Sequence, residues 1–439
     1  MNSFDMTSAT LVTPAHATAS SAGVHAPPGP TGLTGGPFKS FWMAGFEGAD
    51  HTDLHGSAVD MCAVTGHAAQ FHADHARAAN LGLRTVRESV GWRVCAPQTR
   101  RHLDFSRLRR AADAADRAGV QVLWTLMHYG TPPDVRIDDA DFADHFAAFA
   151  GAAARELQHH KRAPCVYTPI NEIGFLAWAM ANQRILGGEC NERDGYVVKA
   201  RLVQAALRGI QAIRAEDSGA RFMHIEPLIH VVPPADAPHL AQAAADFCGY
   251  QWQAWDMLIG RHAPELGGYP AAMDWVGVNH YHDAQWEIGT GRQLDWETGD
   301  ARRQPLAHLL EEAWQRYRLP LVLAETSHFG DGRARWLNDM AGQVDTALNA
   351  GLPIQGVCLY PAVDRPDWND TAHWHHSGLW DALTHATPGQ ADAGNVLGAA
   401  GAAGAAGAAA TDLITDPTAR LLKADYADVL RQWQQRLGR

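Results

Sequence analysis

Two glutamates close short apolar runs. CVYTPINE, from Cys165, ends in Asn171 and Glu172, and LPLVLAE, from Leu319, ends in Glu325. If both runs are strands of one closed sheet, their carboxyls face each other across its mouth. Such a pair has a use when one member is protonated and the other ionised. The first gives a proton to a departing oxygen while the second attacks the carbon it leaves, which is what cleaving a glycosidic bond requires. Taken singly, either Glu could equally be a solvated loop carboxylate or half of a structural ion pair.

Short apolar runs alternate along the chain with longer amphipathic ones, the pattern of repeated β-then-α units. Candidate strands begin near Phe41, Leu83, Val120, Cys165, Arg221, Asp274, Leu319 and Gln355. Helical segments fall between them, from Phe105, Asp141 and Gly195, with a last one from Thr418. In the first, Phe105, Leu108, Ala112 and Ala115 recur on one face and Gly119 supplies the stop. The pattern predicts a single α/β domain, a (β/α)8 TIM barrel, with chemistry gathered at the C-terminal strand ends. The catalytic barrel is expected over 38–439. Residues 1–37 are expected to be a disordered low-complexity tail, and a Gly/Ala-rich stretch at about 391–411 a flexible insertion.

A formal net charge of -12 argues against nucleic-acid partners, because phosphate neutralisation needs clustered Lys and Arg. The six cysteines, Cys62, Cys95, Cys165, Cys190, Cys248 and Cys358, have neither zinc-knuckle spacing nor a disulfide framework and read as reduced thiols. No apolar stretch is long enough for a membrane span, and the N-terminus lacks the basic and apolar regions of a secretory signal. A cytoplasmic location is therefore the default expectation. The expected partner is a small carbohydrate or glycoside, with no cofactor and no metal.

The chain resembles glycoside hydrolase family one and its clan of barrels, as a divergent member or a separate family of that clan. Asn171-Glu172 matches the Asn-Glu pair that ends strand four, and Ala324-Glu325 stands for the Thr-Glu of strand seven. TLMHYGTP, from Thr125, is similar to the strand-three element, which implies that His128 contacts a sugar hydroxyl. VRESVGW, from Val86, is similar to the strand-two element, which makes Arg87 the arginine supporting the nucleophile. GVNHYH, from Gly277, implies that Tyr281 hydrogen-bonds the nucleophile. GVCLYPAVDRPDW, from Gly356, places Tyr360, Asp364, Asp367 and Trp368 at fixed offsets of the strand-eight motif. The resemblance covers most of residues 40–385. It implies a retaining β-glycosidase of the β-glucosidase or β-galactosidase kind, with Glu172 as acid/base, Glu325 as nucleophile, and hydrolysis or transfer as the outcome.

The chain departs from that pattern in three places. Ile173 replaces a Pro, Thr326-Ser327 replace Asn-Gly, and GFEGADH, from Gly45, replaces a Gln-containing element. Asn171 supports catalysis in this reading. His128, Asn171, Tyr281, Asp367, Glu47 and His51 could grip hydroxyls, while Tyr129, Tyr360 and Trp368 offer flat faces for sugar C–H groups. Arg87 beside Glu325 would depress its pKa, although Arg87 could instead hold a structural carboxylate such as Glu88. The aromatics could simply fill the barrel top. No Lys or Ser-x-Lys element accompanies Asp367-Trp368, which favours an unphosphorylated sugar. Two other readings stay open. One is a metal-dependent hydrolase barrel using His51, His55, His224, His280 and Asp364, though it leaves both glutamates without a role. The other is a catalytically silent sugar-binding barrel. The HWHH segment, 373–376, reads as a solvated or lid loop.

Overall fold

The structure, a computed structural model, describes residues 36–160, 165–183, 190–382 and 419–438. Eight strands close a barrel: β1 Trp42–Gly45, β2 Thr85–Ser89, β3 Gln121–Met127, β4 Val166–Ile170, β5 Arg221–Pro227, β6 Trp275–Asn279, β7 Leu321–Thr326 and β8 Ile354–Leu359. Each pairs in parallel with its sequence neighbours, and β1 closes on β8. Every strand starts within two residues of its expected position. Parallel strands covered on both faces need near-continuous apolar sequence, and that is the signal the runs carry.

Alternation sorts the strand side chains. Met43, Leu123, Val166, Met223, Ile225, Val322, Ala324 and Cys358 form one buried cluster, filling the barrel interior. The alternate residues pack outward on the helices. The principal helices are α1 His67–Asn80, α2 Ser106–Ala118, α3 Phe142–Leu157, α4 Ile173–Ala181, α5 Gly195–Glu216, α6 Ala241–Tyr250, α7 Gln253–Leu258, α8 Leu306–Tyr317, α9 Gly332–Asn349 and α10 Ala424–Leu437. Trp92, Trp255 and Trp336 are fully buried in this outer layer. Each such side chain contributes roughly 1.5–3 kcal/mol of apolar burial.

The last helix begins later than its sequence suggests. Arg420–Leu422 instead pairs antiparallel with Trp380–Ala382, and Ala424 opens α10. A long-range partner converts the start of that segment to strand, which local periodicity does not report. Both the 1–35 stretch and the Gly/Ala-rich 391–411 tract lie outside the described residues. Among the described residues, no helix is long and apolar enough to cross a membrane.

Candidate active site

The C-terminal strand ends bring together Arg87, Asn171, Glu172, Asn279, Tyr281 and Glu325. Arg87 projects from β2 into the mouth, where it is buried. Its Nη1 donates to Glu325 Oε1 at 2.9 Å and to the Ala324 carbonyl at 2.8 Å, and its Nη2 donates to Asn171 Oδ1 at 3.2 Å. The Tyr281 hydroxyl donates to Glu325 Oε2 at 2.8 Å. Each oxygen of Glu325 therefore has a donor, one of them a full positive charge.

Arg87 does not hold Glu88. The two alternate across β2, and Glu88 faces α1, where His67 and His75 direct their Nε2 atoms at its Oε1 at 2.9 and 2.6 Å. His67 Nδ1 meets Asp74 at 2.8 Å, and Arg420 also contacts Asp74. This buried network ties the barrel wall to its helical layer, away from the Arg87 and Glu325 pair.

Glu172 has a different environment. Tyr129 Oη lies 2.6 Å from its Oε2, and Asn279 Nδ2 donates to its Oε1 at 2.7 Å. Burial, followed by the nearby charge of Glu325, pushes Glu172 up to about 7, against the lowering effect of Tyr129 and Asn279. Burial also raises Glu325, despite the opposing pull of Arg87 and Tyr281. Arg87 does lower Glu325, as expected, but desolvation outweighs it and the carboxyl stays above its ordinary value. What separates the glutamates is the partner: a cation for Glu325, neutral donors for Glu172.

The strand ends also carry the surrounding groups. Asn171 Nδ2 donates to His128 Nε2 at 3.1 Å, which leaves the hydrogen of a neutral imidazole on Nδ1. Burial lowers His128 to about 4, in keeping with a neutral ring. Glu47 receives the Ala49 amide, the Tyr360 hydroxyl, Trp368 Nε1 and Arg365 Nε. Burial alone would raise Glu47, but Arg365, His128 and these hydrogen bonds together hold it below the ordinary carboxylate value.

Trp368 meets the ring of Tyr129 edge-on, with centroids 5.6 Å apart, and Phe175 at 6.2 Å, so these rings form an aromatic wall beside Glu172. His51 Nε2 bonds the Trp368 carbonyl at 2.8 Å, securing the loop that carries this wall. The Arg87 guanidinium lies over the Tyr360 ring, 5.1 Å from its centroid. Asp367 engages its own loop through the Asn369 amide and His375, which hold it down to about 2. Within HWHH, His373 is exposed, while His375 and His376 are half-buried against Asp367 and Asp364.

The five residues of the metal reading do not converge. His51 bonds the Trp368 carbonyl, His224 that of Ala272 and His280 that of Leu228, while His55 is exposed. Among the described residues, the groups close enough to share an ion are His67, His75 and Glu88, and Asp364, His376 and Asp381.

Asn279, Glu226, Arg365 and Phe175 were not singled out from sequence. Asn279 ends β6 and Glu226 stands next to the end of β5, so the strand-end rule that found Glu172 and Glu325 also applies to them.

No protein-family model matches the chain, and no curated protein matches it in sequence. Likeness to solved structures is extensive. The chain is similar to the family 1 β-glucosidase from Thermotoga maritima at 15% identity and a TM-score of 0.61, covering 80% of this chain and 94% of that one. The β-glucosidase of that organism in complex with glucoimidazole aligns at 16% identity, with a TM-score of 0.61 and the same coverage of 80% and 94%. The AHE enzyme from Alicyclobacillus herbarius is 17% identical with a TM-score of 0.64, over 90% of this chain and 99% of that one. What these proteins share with the chain is the fold, a closed eight-stranded parallel barrel.

Proposed function

We propose that this chain is a retaining β-glycosidase that hydrolyses or transfers a β-linked, unphosphorylated sugar by double displacement. The observation that carries the reading is the unequal treatment of two buried strand-end carboxylates. Glu325 has the cation Arg87 on one oxygen, while Glu172 has Tyr129 and Asn279 and is pushed up to about 7. The member with the cation is the one to ionise first.

In the first step, a Glu325 carboxylate oxygen attacks the anomeric carbon as the bond to the leaving oxygen breaks, and Glu172 gives that oxygen its proton. In the second, Glu172, now ionised, takes a proton from water or from an acceptor sugar hydroxyl, whose oxygen displaces Glu325 and restores both carboxyls. Arg87 and Tyr281 hold Glu325 in place during the attack, and Asn171 orients Arg87. His128, Glu47, Tyr360 and Trp368 form the wall against which the sugar packs. The fold shared with β-glucosidases, one of them crystallised with glucoimidazole, favours a hexose-sized glycone.

A screen of aryl β-glycosides, with product configuration followed by NMR, tests this reading. Release of aglycone with the β-anomer formed first is the expected result. First appearance of the α-anomer, or no turnover of any β-glycoside, would overturn it.

A further inference from the structure

Glu172 holds φ +47° and ψ +60°, a left-handed conformation that is uncommon outside glycine. It is the residue immediately before α4, and its side chain does not cap that helix. The first amides of α4 therefore need an acceptor from elsewhere. The acceptor is Glu226, at the end of β5. Its Oε2 takes the Gly174 N–H at 2.8 Å. The fit is close: a Cβ on Gly174 would stand 2.7 Å from Glu226 Oε2.

The same arrangement recurs at the other end of the Glu172 to Tyr129 hydrogen bond. Tyr129 holds φ +93°, and the next amide, that of Gly130, donates to the buried Asp50 carboxyl at 3.0 Å. An amide one residue after Tyr129 and another two residues after Glu172 are thus each gripped by a buried carboxyl from a distant part of the chain. Lys199, buried on α5, faces Glu226, and its Nζ is itself held by Gln253 Oε1 at 2.8 Å.

We propose that Glu226 is a positioning residue for Glu172: by gripping the Gly174 amide it fixes the backbone that aims the acid/base carboxyl at Tyr129 and Asn279. The role rests on the acid/base reading of Glu172. Glu226 touches neither substrate nor the bond that breaks.

The full chain and its Glu226→Ala and Glu226→Gln variants test this with two readouts. The first compares a 2,4-dinitrophenyl β-glycoside, which needs no proton on departure, with a phenyl or alkyl β-glycoside, which does. Glu226→Ala is expected to lose about tenfold or more in kcat/KM, which reports the first step, on the poor leaving group and less than about threefold on the activated one. Glu226→Gln keeps a carbonyl acceptor of the same shape and is expected to stay within about threefold of wild type on both. Equal losses on both substrates, or a Gln variant no better than Ala, would overturn the proposal. The second readout is a crystal structure of Glu226→Ala, in which Glu172 should leave its contact with Tyr129. An unmoved Glu172 would refute the positioning role even if no β-glycoside were a substrate, whereas failure of the glycosidase reading shows as an inactive wild type.

Discussion

The Tyr129 hydroxyl lies 2.6 Å from Glu172 Oε2, and both residues hold positive φ. Strained backbone at the two ends of one short hydrogen bond is a geometry that only the surrounding structure can maintain. Tyr129 opposes the upward push of burial on Glu172, so its loss has a definite sign. Tyr129→Phe should raise the Glu172 pKa further and move the basic limb of the kcat/KM profile to higher pH. In the wild type that limb is expected near pH 7, with activity lost as the acid deprotonates. A basic limb unchanged in Tyr129→Phe would separate Glu172 from the acid role.

In the proposed mechanism, Glu172→Ala removes the proton donor. On alkyl β-glycosides the rate should fall by roughly 10²–10⁴-fold, while activated aryl glycosides should be far less affected in their first step. Values of kcat/KM on a series of leaving groups, which report that first step, check this. An equal loss across the series would contradict it.

Arg87 is the cation of a buried pair, and removing one partner of such a pair leaves an uncompensated charge. Arg87→Met should therefore destabilise the fold by about 3–5 kcal/mol and raise the Glu325 pKa, shifting the acid limb of activity upward. Urea unfolding and a pH profile report the two effects separately.

Glu88 makes an independent prediction about stability. Burial would raise it, but His67 and His75 hold it down to about 2 from an ordinary 4.5. Its folded pKa is depressed, so its contribution is full above about pH 4.5 and disappears as pH falls towards 2. A displacement of that size corresponds to roughly 3 kcal/mol. Glu88→Gln should accordingly lose stability at pH 6 and approach the wild type near pH 2, as followed by urea unfolding. A constant difference at both pH values would contradict the linkage.

Because two carboxyls protonate and attack without a cation, dialysis against a strong chelator should leave turnover of an aryl β-glycoside unchanged. Activity that disappears and returns with zinc or manganese would favour metal-assisted hydrolysis.

The barrel was legible because its strands are buried on both faces, so runs such as LVLAET carry their own signal. Arg420–Leu422 was not, because its strand depends on Trp380–Ala382, far away in sequence. The two glutamates were found by asking what stands at strand ends. Asn279 and Glu226 answer to the same rule, but their partners, Glu172 and the Gly174 amide, are fixed by the barrel rather than by local spacing. Asp367, placed by its motif, also bonds within its own loop to the Asn369 amide and His375, contacts that the motif does not report. At Glu325 the lowering by Arg87 was legible, whereas the larger opposing effect of burial is set by the fold.

The most direct measurement removes the proposed nucleophile and leaves space in its place. Glu325→Gly should be inactive on activated aryl β-glycosides, and added azide should restore turnover by attacking the anomeric carbon from the vacated side. The expected product is the α-glycosyl azide, identified by NMR. A Glu325→Gly variant that keeps wild-type rates, or one from which azide yields only the β-product, would contradict the assignment of Glu325.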